Sequence, residues 1–304
     1  MRSIIKCKIR DLILHYRKVT TLSEVLAVRQ ADNDKQVVIM WLHEKSKNTQ
    51  NAYIQDIKKF LDFTGKKPFK EVTIGDIQAF ADSLDAYAPA TKARALAAVK
   101  SLFAFAHRIG YLRFDVSAPI RLPKVKETLG ERILSEADVQ RLIGMEDNKR
   151  NKALLGLIYI AGLRVSEACS LKWRDIQPAI SGGYITVFGK GDKTRTILIG
   201  KRMYEELLSL KGEGGQDDPV FVSQKYGPLS LSQAWRIVKA AAKRAGINPG
   251  ASPHWLRHAH ASHALERGCP IHLVQATLGH ASVATTGRYL HARPNDSSAL
   301  YLAQ

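Results

Sequence analysis

Arginine, histidine and tyrosine residues recur at fixed spacings in the second half of the chain. His254 and Arg257 are three residues apart directly after a proline, where a helix can begin, so their side chains share one helix face. Arg164 precedes this pair, and His280 and Tyr289 follow it. Arginine binds phosphate oxygens through two parallel hydrogen bonds, and histidine can take a proton from a tyrosine hydroxyl. The set predicts a phosphodiester site with tyrosine as the nucleophile.

The oxygen that leaves such a phosphodiester needs a proton donor, because an alkoxide is a poor leaving group. Lys190 lies in a glycine-rich turn between two predicted strands, and a lysine on a hairpin can supply this proton. The turn does not predict a phosphate-binding loop, since no Gly-Lys-Ser/Thr follows it. No acidic cluster of the kind that holds Mg²⁺ accompanies these residues, so we expect neither a metal nor another cofactor.

The charge of the chain indicates its partner. The 304 residues include 46 Lys and Arg against 28 Asp and Glu, a formal net charge of +18. An excess of this size favours a polyanion, and double-stranded DNA fits the predicted chemistry, although a merely well-solvated surface remains an alternative. The basic side chains that we expect to contact DNA lie on predicted helices: Lys92, Arg94, Arg236, Lys239 and Lys243.

Three cysteines at no metal-binding spacing argue against a disulfide framework and for a reducing, intracellular environment. The sequence contains no apolar run near the roughly 20 residues of a membrane span, and the N-terminus is broken by charge too early for a signal peptide. We therefore expect a cytoplasmic protein without a membrane partner.

The elements that must position these residues form two domains. Residues 36–118 show a helical pattern throughout, residues 119–130 resemble a proline-containing basic linker, and residues 131–304 combine helices with a small sheet. The role of residues 1–35 stays open. In the first domain we expect one helix capped by Asn48 or Thr49, a second capped by Thr73, and a third that starts at Pro89.

The second domain begins with a helix capped by Ser135. Further helices are predicted over 151–161, 164–171 and 231–246, the last with Trp235 on its apolar face, and strands over 184–188 and 194–199. The expected fold class is therefore mainly α with a small β-sheet.

At these motifs the chain resembles the tyrosine recombinases, also called the phage integrase family, and especially their Xer-type members. The resemblance covers about residues 36–293. Ala161-Gly162-Leu163-Arg164-Val165-Ser166-Glu167 is similar to the first arginine box of the family, and His254-Trp255-Leu256-Arg257 matches its His-x-x-Arg box. Leu278-Gly279-His280 matches the third box, and Tyr289 follows nine residues later, as the nucleophile of the family does.

The resemblance implies a fold and a role for each matching residue. The N-terminal part would be a core-binding, SAM-like helical domain, which closes with an α+β catalytic domain as a C-shaped clamp on DNA. Tyr289 would form a 3′-phosphotyrosyl link, while Arg164 and Arg257 clamp the phosphate and His280 hydrogen-bonds it. Lys190 would protonate the leaving 5′-oxygen, and His254 would serve as the base. Glu167 would orient its helix rather than react.

The function implied is site-specific recombination without metal or ATP. Integration, excision, inversion and dimer resolution all remain open. The partners implied are duplex DNA and three further subunits, in a homotetramer on two DNA sites or in a tetramer with a paralogous recombinase. The C-terminal tail would pass to a neighbouring subunit, and the protein would be associated with the nucleoid.

Three other classes of function compete with this interpretation. Within the same chemistry, a type IB topoisomerase-like enzyme would relax DNA. A DNA-binding protein without catalysis would explain the charge but not the complete residue set. A zinc hydrolase could use His254 and His258, which are four residues apart, but the sequence has no His-Glu-x-x-His motif.

Overall fold

The computed structural model describes residues 31–126, 128–189 and 194–292 of the chain. Three parts of the chain with sequence-based predictions lie outside these ranges: most of the N-terminal extension, Lys190 and the C-terminal tail. What was predicted for them stays a prediction. The chain divides into two compact units between residues 126 and 127, within the segment predicted as a linker. Among the described residues, no helix is long and apolar enough to cross a bilayer.

The described part of the N-terminal unit is helical. Its helices are α1 (Asp34–His43), α2 (Lys47–Phe63), α3 (Ile74–Ser83) and α4 (Pro89–Arg108), with a short 3₁₀ turn at Phe69–Glu71. Thr73 caps α3 in a reciprocal capping box with Asp76, and Pro89 occupies the first turn of α4, as the sequence predicts. The predicted cap of α2 is wrong by two to three residues, because the Ser46 hydroxyl accepts the hydrogen bond from the backbone of Thr49.

Aromatic residues fill the core between these helices. Phe60 on α2 lies edge-on to Phe80 on α3 and to Phe103 on α4, with ring centroids 5.2 and 5.9 Å apart. Such edge contacts suit the quadrupoles of the rings. Beside this core, Asp56 of α2 is completely buried, and its carboxylate accepts two hydrogen bonds from Arg94 of α4 at 2.9 and 3.0 Å.

The second unit begins with α5 (Glu136–Gly144), capped by Ser135 as predicted, α6 (Lys149–Ile160) and α7 (Val165–Ser170). An antiparallel sheet follows, made of β1 (Ile176–Ala179), β2 (Gly182–Phe188) and β3 (Thr194–Gly200) in that order. The sequence prediction missed β1, whose pairing with β2 runs from Ile176 opposite Ile185 to Ala179 opposite Gly182.

Five more helices complete the described part of this unit. They are α8 (Lys201–Leu208), α9 (Leu231–Arg244), α10 (Pro253–Glu266), α11 (Ile271–Leu278) and α12 (Val283–Ala292). On α9, Val238 and Ala242 are buried, whereas Trp235, predicted to lie on the same apolar face, is 39 % exposed. Trp235 lies one residue before Arg236, at the edge of the exposed basic face of the helix.

Candidate active site

The first arginine box folds into the junction between α6 and α7. Gly162 ends the connection from α6 with φ of +58°, a conformation that favours glycine, and a Cβ there would lie 2.7 Å from the His260 ring. Arg164 is the residue that precedes α7, and its backbone N–H donates to the carboxylate of Glu167 at 2.7 Å. This turn leaves the Arg164 side chain 38 % exposed at the mouth of the site.

Glu167 lies within 4.0 Å of all three arginines of the site, Arg164, Arg195 and Arg257. Its carboxylate is 6 % exposed and accepts hydrogen bonds from Arg164 at 2.8 Å and from both terminal nitrogens of Arg195 at 2.8 and 2.9 Å. A guanidinium nitrogen of Arg257 lies 4.0 Å from the same carboxylate. Burial acts to raise the pKa of Glu167, but the hydrogen bonds from Arg195 and Arg164 outweigh burial, and the net pKa is lowered. Glu167 is therefore ionised at neutral pH.

Arg257 enters the site from the interior. It is 4 % exposed and donates to the backbone carbonyls of Gly162 at 2.5 Å and Leu278 at 2.6 Å. Gly162 lies in the turn after α6, and Leu278 is the last residue of α11. The Arg257 guanidinium therefore connects both of these helix ends to α10. Burial, and next the charge of Arg164, lower the pKa of Arg257 to about 10, which leaves the side chain protonated at pH 7.

Gly279 brings His280 into the site by ending α11 in the left-handed conformation, with φ of +62°. A Cβ at this position would also lie 3.2 Å from the Arg195 guanidinium, so both backbone and space favour glycine. His280 Nδ1 lies 2.9 Å from the hydroxyl of the buried Thr286. Burial and the nearby arginines lower the pKa of His280 to about 4, so this ring is neutral at pH 7.

Tyr289 is 6 % exposed on α12, in a small apolar cluster with Val274, Leu278 and Ala261. Its ring lies parallel to that of His280, with centroids 6.4 Å apart. The hydroxyl lies 2.8 Å from Nδ1 of His258. Burial raises the pKa of Tyr289, and the charges of Arg257 and Arg288 offset only part of this rise. The phenol is neutral in the free protein.

His254 lies at the exposed start of α10, one turn before His258, with the two ring centroids 6.4 Å apart. Partial burial of the ring, then the charges of Arg257 and Arg164, lower its pKa. A third ligand for a zinc ion is missing here, since the described residues contain no group of three or more His, Cys, Asp or Glu side chains that could hold a metal ion.

The structure thus brings together five of the six residues predicted from the motifs: Arg164, His254, Arg257, His280 and Tyr289. Lys190 lies outside the described residues. A cleft of about 910 Å³ opens beside the cluster, and Arg164, Glu167, Arg195 and His280 line it. Phe188 and Thr194, the described ends of β2 and β3, lie at the same cleft.

Two contacts of the site were not predicted. The guanidinium of Arg195 holds Glu167 and also donates to the carbonyl of Thr277 at 2.7 Å, and His258 contacts the tyrosine hydroxyl. The position of His258 four residues after His254 is a signal of its presence in the site, since residues four apart lie on the same face of a helix.

The predicted DNA contacts have different surroundings. Arg236, Lys239 and Lys243 are exposed on α9, and Lys239 donates to the backbone carbonyl of Pro249. Lys92 pairs with Asp85, and Arg94 with the buried Asp56. The contact of these side chains with DNA stays a prediction.

Comparisons with known proteins agree with this architecture. The family model described as "Phage integrase family" matches residues 132–296, and that of the "Phage integrase, N-terminal SAM-like domain" matches residues 39–110. Tyrosine recombinase XerD of Neisseria meningitidis serogroup B is 36 % identical over 274 residues, which are 85 % of this chain and 92 % of the relative.

Solved structures share the fold. A lambda integrase dimer bound to a COC′ core site matches with a TM-score of 0.73 at 21 % identity, over 91 % of this chain and 98 % of the other. A lambda integrase tetramer bound to a Holliday junction matches with a TM-score of 0.71 at 20 % identity, over 90 % and 81 % of the two chains.

The helical N-terminal unit and the arginine-lined tyrosine site therefore define an enzyme of the class that breaks and rejoins DNA through a tyrosine. The chain belongs to the phage integrase family. Membership predicts the mainly helical fold with a small sheet that the described residues show, and it does not favour the topoisomerase, zinc-hydrolase or non-catalytic alternatives.

Proposed function

We propose that this protein is a site-specific DNA recombinase that cleaves and rejoins duplex DNA through a 3′-phosphotyrosyl link at Tyr289. One observation carries the proposal: Arg257 and Tyr289 come from two different helices, Arg164 and His280 come from two helix junctions, and all four converge on one site. A salt-bridge network alone would not require a tyrosine hydroxyl beside it.

The electrostatics of the site suit a bound phosphodiester. Two arginines lie close enough for Arg164 to lower the pKa of Arg257, so their mutual repulsion is relieved when an anion binds between them. Their donors then face the charge that develops on the phosphoryl oxygens in the transition state. His280, neutral at pH 7, is suited to hydrogen-bond the phosphate.

Tyr289 attacks the phosphorus: the oxygen–hydrogen bond of its hydroxyl breaks, the proton passes to a histidine base, and the new phosphorus–oxygen bond forms. The bond to the 5′-oxygen breaks, and Lys190 protonates that oxygen as it leaves. The assignment of Lys190 rests on the resemblance, and the assignment of His254 as the base rests on it equally. The phosphotyrosyl ester retains the energy of the broken bond, so rejoining requires no ATP.

Assembly and location follow from the family. XerD relatives are recombinases by name, and lambda integrase has been solved as a tetramer on a Holliday junction. We extend this to a homotetramer on two DNA sites, with a paralogous partner as the alternative, and to a C-shaped closure of the two domains on DNA. The C-terminal tail that would connect subunits lies outside the described residues. A cytoplasmic, nucleoid-associated location is part of the same proposal.

Covalent trapping tests the function directly. Cells that produce the protein are lysed in denaturant, the protein is captured, and any DNA that remains attached is sequenced. We expect one or a few short sites attached to the wild-type chain and none to Tyr289→Phe, which should still bind those sites in a gel-shift assay. Attachment of DNA to the phenylalanine variant would remove Tyr289 as the nucleophile. Attachment at random positions would argue for a DNA-relaxing enzyme.

A further inference from the structure

The hydrogen bond between Tyr289 and His258 connects the nucleophile to a side chain that carries no role so far. The Tyr289 oxygen lies 2.8 Å from His258 Nδ1, and the ring centroids are 5.7 Å apart. His254, to which the resemblance assigns the base, lies one helical turn earlier and nearer to solvent. The histidine in direct contact with the reacting oxygen is therefore His258.

The charge states of the pair determine which atom donates. Burial lowers the pKa of His258 to about 4, and positive charge from His254, Arg257, Arg132 and Arg288 acts in the same direction. The ring is neutral at pH 7, while burial keeps the Tyr289 phenol protonated. A neutral phenol donates to an unprotonated imidazole nitrogen. We assign Nδ1 of His258 as the acceptor, with its ring proton on Nε2.

We propose that His258 is a catalytic residue that accepts the hydroxyl proton of Tyr289 as that oxygen attacks the scissile phosphorus, an inference that rests on the function proposed above. The phenolic oxygen–hydrogen bond breaks, its electron pair forms the bond to phosphorus, and the proton moves to His258 Nδ1. When the strand is rejoined, His258 returns the proton to the tyrosine oxygen.

Two effects make this transfer favourable only once DNA is bound. The scissile phosphate brings a negative charge to Arg164 and Arg257, which offsets the positive charge that disfavours a protonated His258. The phenol also becomes more acidic as its oxygen bonds to phosphorus. Without a base, only a fraction on the order of 10⁻³ of an ordinary tyrosine is ionised at pH 7, and burial of Tyr289 lowers this fraction further.

The alternative is that His258 only positions the hydroxyl. His258→Asn separates the two roles, because the amide oxygen can still accept a hydrogen bond but cannot take up a proton at neutral pH. The readout is the rate of covalent complex formation in a single turnover, on a nicked duplex that carries the site recovered by trapping. His272→Ala, an exposed histidine on α11, is the matched control.

We expect both His258→Asn and His258→Ala to form the covalent complex about 10²-fold more slowly than the wild type at pH 7. Imidazole in the buffer should restore part of the rate of His258→Ala but not that of His258→Asn, which leaves no room for it. The rate of His258→Ala should also rise about tenfold per pH unit, because hydroxide then supplies the phenolate. Thermal unfolding and gel-shift binding show whether each variant folds.

Three results would overturn the proposal. A wild-type rate in His258→Asn assigns His258 a positioning role, and slow cleavage by His254→Asn in the same assay returns the base to His254. A wild-type rate in His258→Ala removes any role. A DNA-free measurement stands beside these: ¹⁵N NMR of the histidines should show an unprotonated Nδ1 in His258 that shifts in Tyr289→Phe, and a protonated Nδ1 contradicts the proposal. Failure of the wild type to attach to any DNA, in contrast, contradicts the proposed function itself.

Discussion

The carboxylate of Glu167 allows three arginines to lie close together before any phosphate binds. Arg164, Arg195 and Arg257 would repel one another around an empty site, and the ionised carboxylate compensates for part of that charge at 2.8 to 4.0 Å. Because the carboxylate is buried, it is held by both hydrogen bonds and charge rather than by solvent. The site is therefore preorganised for an anion, which is what catalysis of phosphoryl transfer requires.

The first prediction at the residue scale concerns Lys190. If this lysine protonates the leaving 5′-oxygen, Lys190→Ala should cleave normal DNA about 10²-fold more slowly, while a substrate with sulfur in place of that oxygen should be cleaved at nearly the wild-type rate. A thiolate leaves without protonation, so the defect disappears. Single-turnover cleavage of the two substrates measures this. Equal defects on both would make Lys190 a DNA-contact residue instead.

The residue types and spacings predict well which side chains come together, since Arg164, Arg257, His280 and Tyr289 meet as expected. They do not predict which histidine contacts the tyrosine. His254 and His258 lie on the same face of α10. Which of them contacts the Tyr289 hydroxyl depends on the angle at which α12 packs on α10. That angle is a property of tertiary packing, which local spacing does not contain.

At the scale of elements, the single arginine on β3 connects three pieces of structure. Arg195 joins its own strand to Glu167 on α7 and to the Thr277 carbonyl on α11. The sheet prediction found β2 and β3 from alternation, but the four-residue β1 contains Pro178, a residue that is rare in strands, and was missed for that reason. Helix starts were predicted correctly where a specific first-turn signal marks them, as at Thr73, Pro89 and Ser135.

The second prediction tests this connection. Arg195→Ala should slow covalent complex formation by about 10²-fold and lower the free energy of unfolding by about 3 kcal/mol. The reason is that the buried Glu167 carboxylate loses its bidentate partner. Arg195→Lys should recover only part of both losses, since an ammonium cannot make both parallel hydrogen bonds. Single-turnover cleavage and urea unfolding measure the two effects. Full activity in Arg195→Lys would show that charge alone suffices.

The third prediction distinguishes structure from DNA contact on α4. The carboxylate of Asp56 is fully buried, and its charge is balanced by Arg94, whose side chain is half exposed. Because solvent screens part of this interaction, Arg94→Ala should lower the free energy of unfolding by about 2 kcal/mol. Lys92→Ala removes an ion pair with the mostly exposed Asp85 and should lower the free energy of unfolding by less than about 1 kcal/mol.

Urea unfolding of both variants measures these costs. Gel-shift binding of the folded variants then reports on DNA contact separately. If the two substitutions cost the same, the Arg94–Asp56 pair does not stabilise the N-terminal unit.

At the scale of the whole molecule, the fourth prediction follows from the neutral histidines of the site. Burial lowers the pKa of His258, His260 and His280 to about 4, against about 6.5 in an unfolded chain. Between these values the unfolded state binds more protons, so the free energy of unfolding should fall as the pH falls from about 6.5 to about 4. Asp76, with its pKa lowered to about 2, adds to the loss only below about pH 4.

Urea midpoints at pH 7.0, 5.5 and 4.5 measure this trend. His260→Leu should reduce the slope, because it removes one of the three groups. A midpoint that stays constant from pH 7.0 to 4.5 would contradict the assignment of neutral, buried histidines.

The last prediction concerns the net charge of +18. If the excess serves DNA, affinity for a 30-base-pair duplex of arbitrary sequence should fall steeply with salt. Neutralising about eight phosphates gives a slope near −7 in log K against log [salt], by counterion release. Arg236→Ala and Lys243→Ala should each reduce that slope by about one, since both are exposed on α9.

The matched control is Arg202→Ala on α8, where the arginine is 91 % exposed but pairs with Glu206 of the same helix. Loss of one charge changes the net charge equally in all three variants, so a general effect of charge would lower the slope equally in each. A defect confined to Arg236 and Lys243 instead locates the phosphate contacts on α9. Equal slopes in all variants and the wild type would mean that the basic face of this helix does not contact the duplex.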